Sequence, residues 1–311
     1  MNDTSLRDAN GAIHKRAAAK PRIVSLVPSI TELLFALDLG EHVVGRTTFC
    51  VHPAPSLASI PRIGGTKSLR MERLQALGPT HAIVNVDENR IEDVDAMREF
   101  IPHIIVTHPL APEDNLGLYE LLGGIFDRAT QAETLAVRLA GELALNRELQ
   151  DTLPARNVLY LIWKEPWMTV SRSTYISQML ASVNWHTLGH DPQVRYPEAA
   201  LHSDDARNAD LVLLSSEPFP FKSKHIELVH SVLPDADVRL IDGELVSWYG
   251  SRAIEGLGYL RRFAEEDMRE VRAAEMHVEA NHASLPDLPD TPDSPGSTAA
   301  SPADPLAGST A

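Results

Sequence analysis

RIVSLVPSITELLFALDLGEHVVGRTTFC, residues 22–50, decides how the rest of the chain is read. Residues 22–27 are apolar apart from Arg22 and Ser25 and rich in β-branched side chains, as a parallel strand buried on both faces should be. Pro28 follows, and Ser29-Ile30-Thr31-Glu32 matches a capping box. Ile30, Leu33, Leu34 and Leu37 then recur at helical spacing, and Gly40 ends the helix. Residues 42–47 start a second strand. A buried strand, a turn, a helix and another strand form the repeating unit of an α/β fold. In such folds ligands bind beyond the carboxyl ends of the strands.

The alternation continues outward from this stretch. Helices are predicted over 69–78 and 91–100, and strands over 81–86 and 103–108. Residues 115–126 and 129–150 carry apolar side chains at i, i+3 and i+4 with Glu, Arg and Gln between. This predicts a long amphipathic helix between two halves. After Pro154, strands are predicted over 157–163, 209–215 and 237–242, helices over 174–183 and 224–233, and a closing helix over about 250–275. The halves repeat in plan: THAIVNVDENR (80–90) is echoed by ADLVLLSSEPFPF (209–221), each an apolar strand followed by an acidic turn. The expected fold is α/β, with two similar lobes of mostly parallel sheet, one long backbone helix joining them, and a ligand cleft between. The expected divisions are a flexible leader (1–20), an N-terminal lobe (21–128), the linking helix (129–152), a C-terminal lobe with its closing helix (153–275) and a tail (276–311). The tail is rich in Pro, Ser and Asp, cannot bury enough apolar area to offset its ordering entropy, and is expected to be disordered.

Bulk properties remove several function classes. A net charge of −15 over 311 residues argues against nucleic acid and against an anionic membrane surface as partner. A single cysteine, Cys50, excludes an internal disulfide and a multi-cysteine metal site. No window approaches the ~18–20 apolar residues of a membrane helix. The first 22 residues lack the apolar run of a secretory signal. The expectation is a monomer without membrane insertion, cytoplasmic as written, and periplasmic only if the start is misassigned.

The post-strand loops carry the candidate chemistry. Aromatics make up only 5% of the chain, yet Trp163, Trp167 and Trp248 lie in these loops. Phe219 and Tyr249 join them. Such a cleft suits a large, partly flat, partly polar ligand. Ser29, Glu88, Arg90 and Arg252 are the expected polar contacts. Arg252 is read as a contact for a ligand carboxylate or phosphate, and the 87–90 turn either as a ligand contact or as one end of a salt bridge to Arg195 or Arg252. IGGTKS (63–68) lacks the spacing of a phosphate loop, so its glycines are read as a turn with Lys67 solvated or at the cleft rim. His52, beside Cys50, is the nearest approach to a metal ligand but lacks a third partner, so no metal site and no intrinsic cofactor are expected.

RIVSLVPSITELLFALDLGEHVVGRTTFCVHP and IPRIGGTKSLRMERLQALGPTHAIV together resemble the N-terminal lobe of the helical-backbone substrate-binding proteins that serve ABC importers of vitamin B12 and ferric siderophores. The resemblance runs through the long helix into RYPE (195–198) and covers about 22–265. It implies a bilobed receptor with a rigid helical hinge, holding a metal chelate or a corrinoid between its lobes. It places Phe49 at an aromatic pocket position, Tyr196 where a Trp is common, and Thr66 where the B12 binders carry a Trp. It matches Glu72 to the acid that docks the first lobe on an ABC permease, while the second-lobe counterpart falls at His202.

The function expected is therefore binding of a cobalamin-like or ferric-siderophore-like ligand, with no catalytic residue. Two alternatives stay open: a cytosolic enzyme using the loop carboxylates Glu88, Glu165, Glu198 and Glu217 as acid and base, or a regulatory scaffold engaging a partner through the acidic tail.

Overall fold

In the computed structural model, which describes residues 6–18, 20–189 and 193–283, the stretch 22–50 folds as strand, helix and strand. β1 (Ile23–Ser25) is buried throughout. Helix α1 (Pro28–Ala36) starts two residues earlier than a Ser29 capping box requires. Val27 is the extended N-cap and Pro28 takes the first helical position, where its missing N–H costs nothing. Ser29 makes no capping bond, and Glu32 turns to Arg252 instead of back to the helix start. The helix stops at Ala36, with Asp38 in the left-handed region (φ 55), before Gly40 is reached.

The N-terminal lobe continues through β2 (Val43–Arg46), a small hairpin of β3 (Gly64–Gly65) and β4 (Ser68–Leu69), α2 (Met71–Ala76), β5 (His81–Asn85), α3 (Ile91–Met97) and β6 (His103–Thr107). The turn expected at the glycines falls instead at Thr66-Lys67: Gly64, at φ +115, and Gly65 form strand β3, and Lys67 is exposed at the hairpin tip. Helices α4 (Asp114–Ile125) and α5 (Ala129–Gln150) lead to the second lobe: β7 (Arg156–Leu161), α6 (Tyr175–Ala181), β8 (Trp185–Thr187), α7 (Asp204–Arg207), β9 (Leu211–Ser215), α8 (Ser223–His230), β10 (Asp237–Ile241), α9 (Gly243–Ser247) and α10 (Arg252–Ala283). The hairpin, β8, α7 and α9 were not expected. Each is too short to show a period.

Each lobe holds one four-stranded parallel sheet, in the orders β2-β1-β5-β6 and β8-β7-β9-β10. The winding is the same in both: the opening strand lies second, its successor at the edge beside it, and the later two on its other side. Successive strand residues feed two different cores, because side chains alternate across a sheet. Ile23, Ile83, Val158, Tyr160, Leu211 and Leu213 enter one central core that spans both lobes. Val24, Ala82 and Val84 enter a second core under α2 and α3, and Leu159, Leu161, Val212 and Leu214 a third under α7 and α8. Burial on both faces is the reason these strands read as unbroken apolar runs.

Helix α5 belongs to the central core. Ala132, Leu135, Leu139 and Leu143 are buried at three- and four-residue spacing, and Asn146 is held by Ser182 (3.1 Å) and Arg261 (2.9 Å). Each fully buried leucine contributes roughly 1.5–3 kcal/mol. The linker is thus packed against both lobes along its length.

Residues 6–18, expected as a flexible leader, form a clasp on β6, the sheet edge. The Asp8 carboxylate accepts the N–H groups of Asn10 (3.0 Å), Ala12 (2.9 Å) and Val106 (3.1 Å) and meets His14 at 3.0 Å. Ala9 N–H bonds the Val106 carbonyl at 3.0 Å, which covers an otherwise open strand edge. The described residues divide at Met268 into one compact unit before it and another after it. Of the second, the described part is the end of α10, which continues to Ala283 where about 275 was expected. Residues 284–311 of the expected disordered tail lie outside the described residues.

Candidate ligand-binding cleft

The loops after the strands of the two lobes meet through named bonds. Ser247, at the end of α9, and Trp248 and Tyr249, leading to α10, form the floor. Tyr249 donates its hydroxyl to Glu88 Oε1 of the first lobe at 2.7 Å. Trp248 donates its indole N–H to Glu217 Oε1 at 2.7 Å, and the Ser247 hydroxyl donates to the same oxygen at 2.8 Å. Burial pushes the Glu88 carboxyl up to about 7. The Tyr249 bond opposes this, while Glu217 and Asp87 add to it. Burial also raises Glu217, against its bonds to Ser247 and Trp248. Tyr249 is itself raised well above its ordinary range, first by burial and then by Glu88. Gly243 is needed at the start of α9, because a Cβ there would strike the Ser215 hydroxyl and Glu217.

A second polar group bridges the lobes. Arg195 binds Asp87 at 2.8 Å and His108 Nε2 at 2.8 Å, and Tyr196 donates to Asp87 at 3.4 Å. The bridge from the 87–90 turn thus reaches Arg195, through Asp87. Asn89 ties the turn to the Gly-Gly hairpin by donating to the Thr66 carbonyl at 3.3 Å.

A third group fixes α10 to the first lobe. Arg252 makes two bonds to Glu32, at 2.8 and 2.7 Å, and one to Glu244 at 3.2 Å. Its guanidinium lies 4.9 Å from the Trp248 ring centre. The charge expected to meet a ligand is thus engaged by two carboxylates of the protein. His52 meets Glu244 at 3.1 Å and lies edge-on to Trp248. Cys50 turns away into the core, bonded to Thr31 and Thr47 at 3.0 and 3.1 Å, and burial pushes its thiol up. His52 and Cys50 are therefore not brought together. Among the described residues no group of three or more His, Cys, Asp or Glu could hold a metal ion.

Exposed apolar side chains gather on the same loops. Phe49 is 58% exposed, Trp163 40% and Tyr196 37%, with Val51, Val86 and Val194 also exposed. Trp163 lies edge-on to Phe219, with ring centres 5.7 Å apart. Trp167, four residues on, does the opposite: it stacks on Phe221 at 3° and packs against the outer core of its lobe. Ser29 is buried beside Tyr249. Arg90 is exposed and pairs with Glu92 at 3.3 Å, and Glu72 is exposed in the first turn of α2. Glu32, His108 and Glu244 were not among the expected contacts. His108 could have been found as a polar residue following a strand. Glu32 and Glu244, on helices, gave no such signal.

The periplasmic binding protein family matches residues 23–216, more than half the chain. The chain belongs to this family. Its members are binding proteins, and the expectation of a substrate-binding protein without chemistry stands with that membership. The vitamin B12-binding protein of Photorhabdus laumondii subsp. laumondii is 21% identical over 202 residues, 65% of this chain and 73% of that one. That of Pectobacterium atrosepticum is 23% identical over 189 residues, 59% and 67% of the two chains. Two solved structures share the periplasmic binding fold. The vitamin B12-binding protein of Vibrio cholerae has a TM-score of 0.67 at 15% identity, over 78% of this chain and 96% of its own. The heme-binding protein of Roseiflexus sp. RS-1 has a TM-score of 0.66 at 22% identity, over 79% and 99%. Among the described residues no helix is long and apolar enough to cross a membrane.

Proposed function

We propose that this chain is a receptor for a bulky metal chelate or corrinoid, cobalamin-like or ferric-siderophore-like, held between the lobes and released unaltered. The observation that carries this reading is the ring of exposed aromatic and aliphatic side chains, Phe49, Trp163 and Tyr196 foremost, around a polar floor of Glu88, Glu217 and Tyr249. Contiguous exposed apolar surface marks a binding site, and flat aromatic faces suit a flat ring. The names of the relatives, vitamin B12-binding and heme-binding, point to the same class of ligand. The receptor works as a monomer with no cofactor of its own. It hands its cargo to an ABC permease, with the exposed Glu72 as one docking acid.

The test is a titration of tryptophan fluorescence with hydroxocobalamin, a ferric siderophore and hemin, followed by mass analysis of the released ligand. Saturable 1:1 quenching by one of them, with the ligand recovered intact, supports the receptor. No response to any of the three, or a chemically altered ligand, overturns it.

A further inference from the structure

The cleft floor carries a chemical preference as well as a shape. Glu88 and Glu217 come from opposite lobes, each from the loop after a sheet strand, and Glu217 adds to the upward shift of Glu88. The bonds that position them use only Oε1 of each: Tyr249 on Glu88, and Trp248 with Ser247 on Glu217. Oε2 of each carboxyl lies outside those bonds. The cations nearby are committed elsewhere or peripheral. Arg195 is bound to Asp87, Arg252 to Glu32 and Glu244, and Lys67 sits at an exposed hairpin tip.

We propose that Glu88 and Glu217 together read the edge of the ligand, selecting one whose periphery carries amide or amine donors over one whose periphery carries carboxylates. This rests on the receptor reading above and narrows it to a corrinoid with an amide edge, in place of a heme or a carboxylate-bearing siderophore. The apolar rim grips any flat ring and does not discriminate between them. The discrimination comes from the floor. An amide N–H arriving there meets a half-buried acceptor and replaces part of its lost solvation. A carboxylate meets two acids and must itself be desolvated. Burial is the largest cause of the upward shift of both carboxyls, as this undersolvated state requires.

A matched pair of probes tests the proposal without altering the protein. Hydroxocobalamin and its monocarboxylic acids, obtained by hydrolysing one peripheral amide, differ by a single amide-to-carboxylate change. The full chain is expected to bind at least one of the acids about tenfold or more weakly than the amide parent, a difference of about 1.4 kcal/mol. That ratio should shrink in Glu217→Gln or Glu88→Gln, near-isosteric changes whose folding is checked by thermal unfolding. Equal affinity for the amide and all its acids overturns the inference, as does an unchanged ratio in both folded variants. Binding of hemin but not of hydroxocobalamin overturns it and leaves the receptor reading intact. Binding of none of the probes, ferric siderophore included, overturns both.

Discussion

Tyr249 reaches across the lobe boundary to donate its hydroxyl to Glu88 at 2.7 Å, joining the entry to α10 to the loop after β5. The bond holds down the pKa of a carboxyl that burial pushes up to about 7. Removing the hydroxyl with Tyr249→Phe should raise the Glu88 pKa further, read by carbon NMR of labelled glutamate, and should cost about 1 kcal/mol of stability.

Glu88 also gives the protein a pH signature. Its folded carboxyl keeps a proton up to about 7, while the unfolded one loses it near 4.5. Between those values the unfolded state holds fewer protons, so this contribution falls as pH rises and is gone above about 7. Thermal unfolding of Glu88→Gln across pH 4–8 should show that decline removed.

His81 acts in the opposite direction. Burial, then His103 and His14, lower its pKa to about 4 from 6.5. Between those values the unfolded state binds the extra proton, so stability falls as pH drops from about 6.5 to 4. His81→Phe should flatten the acid limb of the same profile.

The two loop tryptophans should separate function from stability. Trp163→Ala is expected to weaken ligand binding about tenfold with little change in unfolding temperature. Trp167→Ala breaks the stack on Phe221 and should cost about 2–3 kcal/mol. Equal effects of the two on stability would contradict this division.

The clasp over β6 predicts a local effect. Asp8→Ala strips acceptors from three backbone N–H groups and from His14, and should cost about 2–3 kcal/mol. Hydrogen exchange at Val106 should accelerate, since its amide bonds that carboxylate.

The two-lobed plan was legible because strands such as β1 and β9 are buried throughout and almost wholly apolar. The loops were legible as a set, since chemistry follows strand ends in this kind of fold. What could not be read was pairing. Nothing in the spacing of Glu32 and Arg252, 220 residues apart, shows that the arginine is engaged by the protein. Nor does the sequence tell Trp163 from Trp167, because the turn that sends one outward and the other onto Phe221 is set by the bridge from Trp163 to Met168 and on to Glu198. Residues 6–18 read as polar leader because their order comes from one carboxylate, Asp8, and a distant strand edge.

The central claim is that a ligand is held between the lobes, and hydrogen exchange with and without saturating ligand tests it most directly. The account predicts protection on loops of both lobes at once, at 47–52 and 86–90 and at 163–168 and 216–221. Protection confined to one lobe, or centred on the depression lined by Asn157, Asp205 and Asp210, would contradict it.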